Sequence, residues 1–210
     1  MNRIKSGSFV LALAFFSNSV LALDGIYLLG AVGQSKTGYP QTTADNAAKG
    51  MGVTGLNSSA SSTPTAWKLA LGYKLNDHLA LEASYLDLGK ISYNATGSMF
   101  LFPVSGSEVV SASVFNFSGV GRHEVSDSFS LLGKLGVARF KSTSQPRGTL
   151  APAFAALGLA QTKTDVSYGI GLEYAMNSNL AVRADWDSFS TGVSAQKQLS
   201  IYSLGMVYKF

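Results

Sequence analysis

The chain has 210 residues, of which 46% are hydrophobic, 11% aromatic and only 13% charged, with 22 glycines and no cysteine. The lack of cysteine excludes a disulfide framework and a thiolate metal site. The low charge and high glycine content fit neither a disordered chain nor an ordinary soluble surface, and no basic stripe with interleaved aromatics indicates nucleic acid as a partner.

Residues 1–22 have the three-part layout of a secretory signal peptide. Arg3 and Lys5 precede the apolar run 9–16, and cleavage is predicted after Ala22, with Ser19 as the alternative. The run is far shorter than the ~20 residues of a membrane-spanning helix, which disfavours an N-terminal anchor. Loss of Arg3 and Lys5 takes the 16 basic side chains to 14, against 12 acidic ones, so residues 23–210 form a nearly neutral domain.

Six later segments alternate an apolar face with a small or polar face, as β-strands with two different environments do. They are residues 67–75, 79–85, 129–137, 166–174, 180–186 and 199–210. The last segment has one face made of Tyr202, Leu204, Met206, Tyr208 and Phe210. We expect this C-terminal strand, which ends on an aromatic residue, to engage the assembly machinery of an outer membrane.

Two further segments, 25–35 and 109–122, alternate less clearly. In the first, both faces are apolar, and we expect the outward residues to be Ile26, Leu28 and Val32. In the second, Phe115 and Phe117 alternate with polar residues, which favours placing them outward, but the register of the neighbouring turn places them inward. A β-bulge would reconcile the two interpretations, so this register stays open.

The connections alternate in length. Short polar turns at 75–78, 124–128 and 176–179 separate longer connections at 36–64, 90–108, 142–163 and 189–198, and all five prolines lie in or beside the longer ones. A membrane protein without apolar helices must be a closed barrel. The sequence therefore predicts an all-β fold, an eight-stranded antiparallel up-and-down transmembrane β-barrel with short periplasmic turns and four longer extracellular loops, in the outer membrane of a Gram-negative bacterium.

This topology sorts the outward aromatic residues into two levels. Trp67, Tyr85, Tyr168, Trp186 and Tyr202 lie near the loop end, and Tyr73, Phe129, Tyr174, Tyr208 and Phe210 lie near the turn end. Two such girdles around an apolar band are typical of contact with outer membrane lipid. The alternative is a soluble barrel or sandwich with the apolar face inside, which alternation alone does not exclude. The leader, the girdles and the aromatic terminus favour the membrane.

Four stretches resemble the OmpA-type family of eight-stranded outer membrane barrels. They are Gly72–Gly89, Ser126–Ala138, Gly171–Trp186 and Ser203–Phe210. The resemblance spans nearly all of 23–210 except the loops, and it is specific for the strand pattern rather than for an activity. It covers the barrel domain only, without the peptidoglycan-binding domain of some members, so no direct tether to the cell wall is expected.

The resemblance also implies that charged side chains plug the lumen. The matching positions here are Glu82, Lys134, Glu173, Arg183 and Asp185, whereas a lumen-facing lysine of the family's fourth strand falls at Gly119. Side chains fill the interior of an eight-stranded barrel. We therefore expect Glu82 to pair with Arg183, and Glu173 with Lys134, with separate solvation by trapped water as the alternative.

Enzymatic activity is not expected. Some small outer membrane barrels modify lipid A with a Ser/His/acid site, but His78 and His123 lie in or beside predicted periplasmic turns, at the wrong end for the outer leaflet. Cofactors and metals are not expected either. The leading hypothesis is a structural and surface-interaction barrel that supports envelope integrity and acts as an adhesin or phage receptor, and the alternative is a narrow channel for small solutes.

The expected partners follow from this hypothesis. The loop cations Lys141, Arg147 and Lys163 are candidates for contact with lipopolysaccharide phosphates, with plain solvation as the alternative. Loop residues 36–64 and the apolar stretch 150–160 are candidates for binding a host-surface or phage ligand.

Overall fold

The computed structural model describes residues 24–36, 39–61, 63–193 and 196–210, so the predicted leader lies outside the described residues. These residues form strands and two helices, and neither helix is long or apolar enough to cross a bilayer. The elements are β1 (Ile26–Lys36), α1 (Gln41–Gly50), β2 (Thr54–Ala60), β3 (Thr65–Lys74), β4 (Leu79–Met99), β5 (Phe102–Glu124), β6 (Phe129–Gly148), α2 (Ala151–Ala155), β7 (Thr162–Ala175), β8 (Leu180–Val193) and β9 (Gln196–Lys209).

Eight of these strands form a closed antiparallel ring. From β3 to β9 each strand pairs with the next, β1 pairs with β3, and β1 also pairs with β9, which closes the barrel. A closed ring leaves no unpaired strand edge inside a membrane, where nothing else can satisfy backbone groups. The predicted eight-stranded antiparallel barrel is confirmed.

The two faces of each strand follow the period-two pattern. Leu28 and Val32 of β1 point outward, as expected, and so do Phe115 and Phe117 of β5, which are more than half exposed. The pairing of β5 with β6 runs without a shift and sets Phe117 beside outward-facing Val137, so no bulge is needed there. The register that the sequence left open is therefore the outward one, because Asn116 and Ser118 occupy the lumen side.

The short turns lie where the sequence predicts them. The side chain of Asn76 accepts hydrogen bonds from the backbone N–H groups of His78 and Leu79, and Asn177 does the same for Asn179 and Leu180. An asparagine side chain that copies a backbone acceptor favours this kind of tight turn.

The longer connections are more ordered than the sequence suggests. The connection predicted at 90–108 is a hairpin, because β4 and β5 stay paired up to Met99 opposite Phe102. Within 36–64, helix α1 and strand β2 form, and β2 pairs with the outer part of β4. We call residues 39–60, 91–108 and 144–157, which include α1, β2 and α2, the cap.

The cap forms because its residues contain a second apolar pattern. Its buried core consists of Ala44, Ala48, Val53, Tyr93, Ala95, Val104, Leu150, Ala153 and Phe154. One face of the β4–β5 hairpin thus packs on both helices outside the barrel, and the burial of these side chains stabilises structure that the sequence pattern assigned to loops.

Candidate functional sites in the lumen and the cap

Among the described residues, nine charged side chains drawn from seven strands form a network in the lumen. The cations are Lys68, Arg122, Lys134, Arg183 and Lys209, and the anions are Glu82, Glu173, Asp185 and Asp187. All of them lie on the inward faces of their strands. Their near-equal numbers allow each charge to have an opposite partner, which burial requires.

Arg183 lies at the centre of this network. Its Nη1 donates to Oε2 of Glu82 at 2.7 Å, while Nη2 and Nε donate to Oε2 of Glu173 at 2.8 and 3.0 Å. Its guanidinium lies 5.1 Å from the ring centre of Tyr27, whose hydroxyl also donates to Glu82, at 3.1 Å. The structure thus places the Glu82–Arg183 pair as expected from the sequence and adds an aromatic contact.

Two lysines share two aspartates nearer the loop end. The Nζ of Lys68 lies 2.8 Å from Asp187 and 3.0 Å from Asp185, and the Nζ of Lys134 lies 2.8 Å from Asp185. Both lysines also approach Glu82, at 3.9 and 3.7 Å. This group connects the upper part of the network to Arg183 through Glu82.

Glu173 pairs differently from the expectation. Besides Arg183, it contacts Arg122 and Lys209, each at 2.8 Å, and it does not form the expected pair with Lys134. The reason is height along the barrel: Lys134 is opposite Gly169 of β7, four residues from Glu173 toward the loop end. That position is level with Asp187.

Gly119 also lies elsewhere than the family resemblance implies. It faces outward, opposite Leu135, so it does not occupy the position of a lumen-facing residue. The cation that β5 supplies to Glu173 is Arg122, three residues nearer the turn end.

Sequence reasoning missed four of the nine charged side chains, namely Lys68, Arg122, Asp187 and Lys209, and it also missed Tyr27, which contacts Arg183 and Glu82. Strict alternation could have found Lys68, Asp187 and Lys209, because each lies on the polar face of a strand that the sequence predicted. Arg122 lies at a strand end, where the period is weak. Tyr27 lies on a strand with two apolar faces and gave no signal.

Glycines make room for this network. A Cβ atom at Gly169 would lie 2.7 Å from Oδ1 of Asp187, and one at Gly171 would lie 2.4 Å from Oδ1 of Asp185. At Gly72, a Cβ atom would lie 1.9 Å from the Tyr27 ring. Glycine inside a strand often marks such a close approach, so these positions allow large lumen side chains to lie against the barrel wall.

An apolar layer lies above the network. Phe189 lies on the same face of β8 as Asp187, two residues nearer the loop end. It packs in a buried cluster with Ala66, Leu86, Leu88, Val114, Ala138, Phe140, Leu199 and Ile201. These side chains fill the barrel between the charged network and the cap.

The cap holds a buried carboxylate among aromatic rings. Glu108 is fully buried and accepts hydrogen bonds from the hydroxyls of Tyr39 and Ser144. Tyr39 stacks on Tyr93 with ring centres 4.7 Å apart, and Tyr93 donates to Asp45 at 2.5 Å. Burial, reinforced by these hydrogen bonds to carboxylates, raises the pKa of both tyrosines above the ordinary value of about 10.

Exposed charges are sorted between the two ends of the barrel. Among the side chains whose exposure is described, the exposed lysines and arginines are all at the loop end, and they are Lys36, Lys49, Lys90, Arg139, Lys141, Arg147 and Lys163. The exposed carboxylates are all at the turn end, and they are Asp24, Asp77, Glu124 and Asp127. The exposed histidines His78 and His123 also lie at the turn end, and the described residues contain no cluster of His, Cys, Asp and Glu suited to a metal.

The aromatic residues assigned to the girdles lie on the outside of the barrel. At the loop end, Trp67 packs on Tyr85 with ring centres 5.4 Å apart, and Tyr168 on Trp186 at 5.8 Å. At the turn end the corresponding pairs are Phe129 with Tyr174, at 4.8 Å, and Tyr208 with Phe210, at 4.9 Å. Tyr73 and Tyr202 are exposed at their respective levels, and Phe115, opposite Tyr85, extends the ring at the loop end.

A closed ring of strands with an apolar exterior and an ionic interior defines a transmembrane β-barrel. A family model described as the outer membrane protein beta-barrel domain matches residues 8–210. The chain therefore belongs to this family and is a protein of the Gram-negative outer membrane.

No curated protein sequence matches the chain. Among solved structures, Ail, the attachment invasion locus protein of Yersinia pestis, is similar at 15% identity, covering 89% of this chain and 99% of that chain, with a TM-score of 0.45. Neisserial surface protein A is 13% identical over 89% and 98% of the two chains, with a TM-score of 0.47. OprG from Pseudomonas aeruginosa is 15% identical over 89% and 96%, with a TM-score of 0.45.

Proposed function

We propose that the protein is a non-catalytic surface-interaction barrel, in which a sealed transmembrane domain supports a folded cap for partners outside the cell. The observation that carries this proposal is the sorting of exposed charge: among the described side chains the loop end carries seven exposed cations, while Asp165, which pairs with Lys163, is only partly exposed there. A surface on which one sign of charge predominates attracts partners of the opposite sign over distances of about a Debye length and beyond direct contact. Anionic cell surfaces and phage surfaces are the partner class that fits.

The ordered cap supports the same function. Binding loops perform best when a rigid scaffold positions them, and this cap has its own apolar core. Replacement of residues 39–60 and 91–106 by short Asn-Gly turns should abolish attachment of expressing cells to anionic surfaces and adsorption of a dependent phage. Heat-modifiable gel migration should persist, because β4 is joined to β3 of the ring through residues 80–87, below the replaced segment. Undiminished attachment by cells carrying the capless barrel would reject the proposal.

A second set of contacts involves the protein's own membrane. Arg139 and Lys141 project outward from β6 directly above Val137, and Arg139 lies opposite outward-facing Phe115. This is the level at which the lipid acyl chains give way to headgroups. We propose that these two cations bind lipopolysaccharide phosphates and anchor the barrel in the outer leaflet.

The test compares two double variants, one that removes two cations at the headgroup level and one that removes two cations from the cap. Arg139→Gln with Lys141→Gln should weaken lipopolysaccharide binding by the purified protein and flatten its salt dependence. Lys49→Gln with Arg147→Gln removes the same charge from the cap and should leave lipopolysaccharide binding almost unchanged. Equal losses in the two double variants would show that net charge, rather than this site, governs binding.

Two filled layers in the barrel disfavour the channel alternative. The charged network and the apolar layer around Phe189 occupy the lumen in succession. Purified protein in planar bilayers should therefore show no stable conductance, and regular open-channel steps would reject the sealed barrel. An unchanged lipid A mass spectrum on overexpression is expected of a non-enzyme, and a new lipid A species would contradict it.

The final strand suits recognition by the assembly machinery. Strand β9 pairs with β8 and with β1, so its insertion completes the ring. Its outward residues Tyr202, Leu204, Met206, Tyr208 and Phe210 form an apolar stripe. We propose that this stripe is the assembly signal. Phe210→Ser should slow the appearance of heat-modifiable protein in cells more than Val125→Ser, a change at another exposed apolar residue of the turn end.

A further inference from the structure

The tip of the β4–β5 hairpin is the most exposed apolar feature of the described chain. Pairing continues to Met99 opposite Phe102, so only Phe100 and Leu101 connect the strands. The exposed fractions of Phe100, Leu101 and Phe102 are 84%, 99% and 74%. These exceed the values of the side chains on the lipid face of the barrel, the largest of which is 67%. The tip extends outward, since 15 residues separate Tyr85 at the loop-end girdle from Phe100, roughly 50 Å along a strand.

The backbone at this tip is strained. Phe100 and Leu101 have φ angles of +49° and +70°, and they are the only non-glycine residues with positive φ in the described part of the chain. A two-residue hairpin turn of this kind favours Asn-Gly, which is polar and free of strain. Bulky residues at positive φ are outliers that the surroundings must support. The sequence thus places apolar side chains where both solvation and backbone geometry oppose them, which indicates that the side chains themselves serve a function.

The surroundings of the tip identify the kind of partner. No charged residue occurs between Ile91 and Ser107, so nothing near the tip opposes entry into an apolar phase. The tip is convex rather than a groove, and small residues such as Gly97 and Ser105 flank it. A fluid apolar phase can surround such a protrusion without a preformed pocket.

The charged residues near the tip indicate the chemistry of this apolar phase. Arg147 is exposed and lies opposite Ser107 on the strand beside the tip hairpin. Lys49 is exposed near the end of α1, shortly before Thr54, which pairs with Ser98 at the base of the tip. Cations behind an apolar protrusion match an anionic headgroup layer over an apolar interior.

We propose that the tip formed by Phe100, Leu101 and Phe102 inserts into an anionic phospholipid bilayer apposed to the outer face of the cell, with Lys49 and Arg147 contacting its headgroups. This inference rests on the proposed surface-interaction function and names the partner chemistry of the cap. It differs from the lipopolysaccharide contact, because the tip projects away from the membrane that holds the barrel.

The test uses the whole protein in zwitterionic nanodiscs, mixed with separate vesicles of phosphatidylcholine with or without phosphatidylserine, and measures flotation with the vesicles. Wild-type protein should bind the anionic vesicles more strongly. Phe100→Asn with Leu101→Gly should weaken binding by about tenfold or more, since two buried apolar side chains are lost. The same double variant should unfold at an equal or higher urea concentration, because it relieves the turn. Val125→Asn, at an exposed residue of the opposite end, should change nothing.

A second variant reports insertion directly. Phe100→Trp should show fluorescence quenching by brominated lipid placed only in the target vesicles, while wild-type Trp67 and Trp186, which face the nanodisc lipid, should not. Unimpaired vesicle binding by the Asn-Gly variant, or no binding by wild type, would overturn the inference. So would tip-dependent clustering of nanodiscs without vesicles, which would identify a second copy of the chain as the partner. The capless barrel in the attachment assay separates this failure from a failure of the proposed function.

Discussion

Removal of the Arg183 side chain tests the lumen network most directly. Arg183→Ala deletes three hydrogen bonds of 2.7 to 3.0 Å that join two buried carboxylates. Glu173 keeps Arg122 and Lys209, each at 2.8 Å. Glu82 keeps the hydroxyl of Tyr27 at 3.1 Å, but its remaining cations, Lys134 and Lys68, lie at 3.7 and 3.9 Å. Loss of one partner of a buried ion pair costs about 3 to 5 kcal/mol. Because Glu173 stays well paired, we expect the lower end, about 3 kcal/mol.

Urea unfolding in lipid vesicles, followed by tryptophan fluorescence, measures this loss. With an m-value of about 2 kcal/mol/M, the midpoint should fall by about 1.5 M. Arg183→Ala with Glu82→Gln should be less destabilised than the sum of the single variants, since no charge is then left unpaired. Lys163→Ala is the matched control, because Lys163 pairs with Asp165 at the same 2.8 Å on the exposed rim and its loss should not move the midpoint. An unchanged midpoint for Arg183→Ala would refute the structural role of the network.

Two other predictions concern the barrel wall and the cap. Gly72→Ala drives a methyl group into the Tyr27 ring and should lower the free energy of unfolding by about 1 to 3 kcal/mol. Gly133→Ala meets no atom within 4 Å and should leave the urea midpoint nearly unchanged. Equal effects would show that strand glycines matter only for backbone freedom. Because burial raises the pKa of Tyr39, an opened cap ionises this group near pH 10 while the folded cap resists ionisation. Cap stability should therefore be constant below about pH 10 and fall above it, and the fall should be less steep in Tyr39→Phe. Limited proteolysis and tyrosinate absorbance measure this dependence. Equal resistance of the cap to protease at pH 8 and pH 11 would contradict it.

The barrel was predictable because one physical rule governs every wall strand. Lipid outside and charge inside force opposite chemistry onto alternate residues, so the sequence 199–210 shows its strand without further information. The rule was weakest where both faces have similar chemistry. Strand β1 carries Tyr27 and Leu29 inward and Leu28 outward, and nothing in alternation distinguishes them.

Pairing inside the lumen was harder to predict, because alternation gives the face of a residue but not its height. Lys134 and Glu173 both point inward, yet strand register separates them by four residues. Height depends on the stagger of neighbouring strands, which the turns set jointly around the ring. Five of the nine charged lumen residues were thus named from the sequence, whereas the choice of partner needed the complete register.

The cap escaped prediction for a different reason. Tyr93 and Ala95 alternate with polar residues just as wall strands do, but their apolar face packs on helices rather than facing lipid or the lumen. Period-two alternation therefore does not locate the membrane boundary by itself. The girdle aromatics do, since Tyr85 marks the last level at which an outward side chain meets lipid.

The apolar layer around Phe189 has a consequence for how the two ends of the molecule are coupled. It separates the charged network from Glu108 and the cap core with side chains that carry no charge or hydrogen-bonding group. Electrostatic changes at the cap are then poorly transmitted to Arg183, because among the described residues no continuous chain of ion pairs crosses the layer. Changes of sequence in the cap should therefore leave the stability of the barrel unaltered, as expected of the proposed arrangement in which a scaffold displays the binding surface.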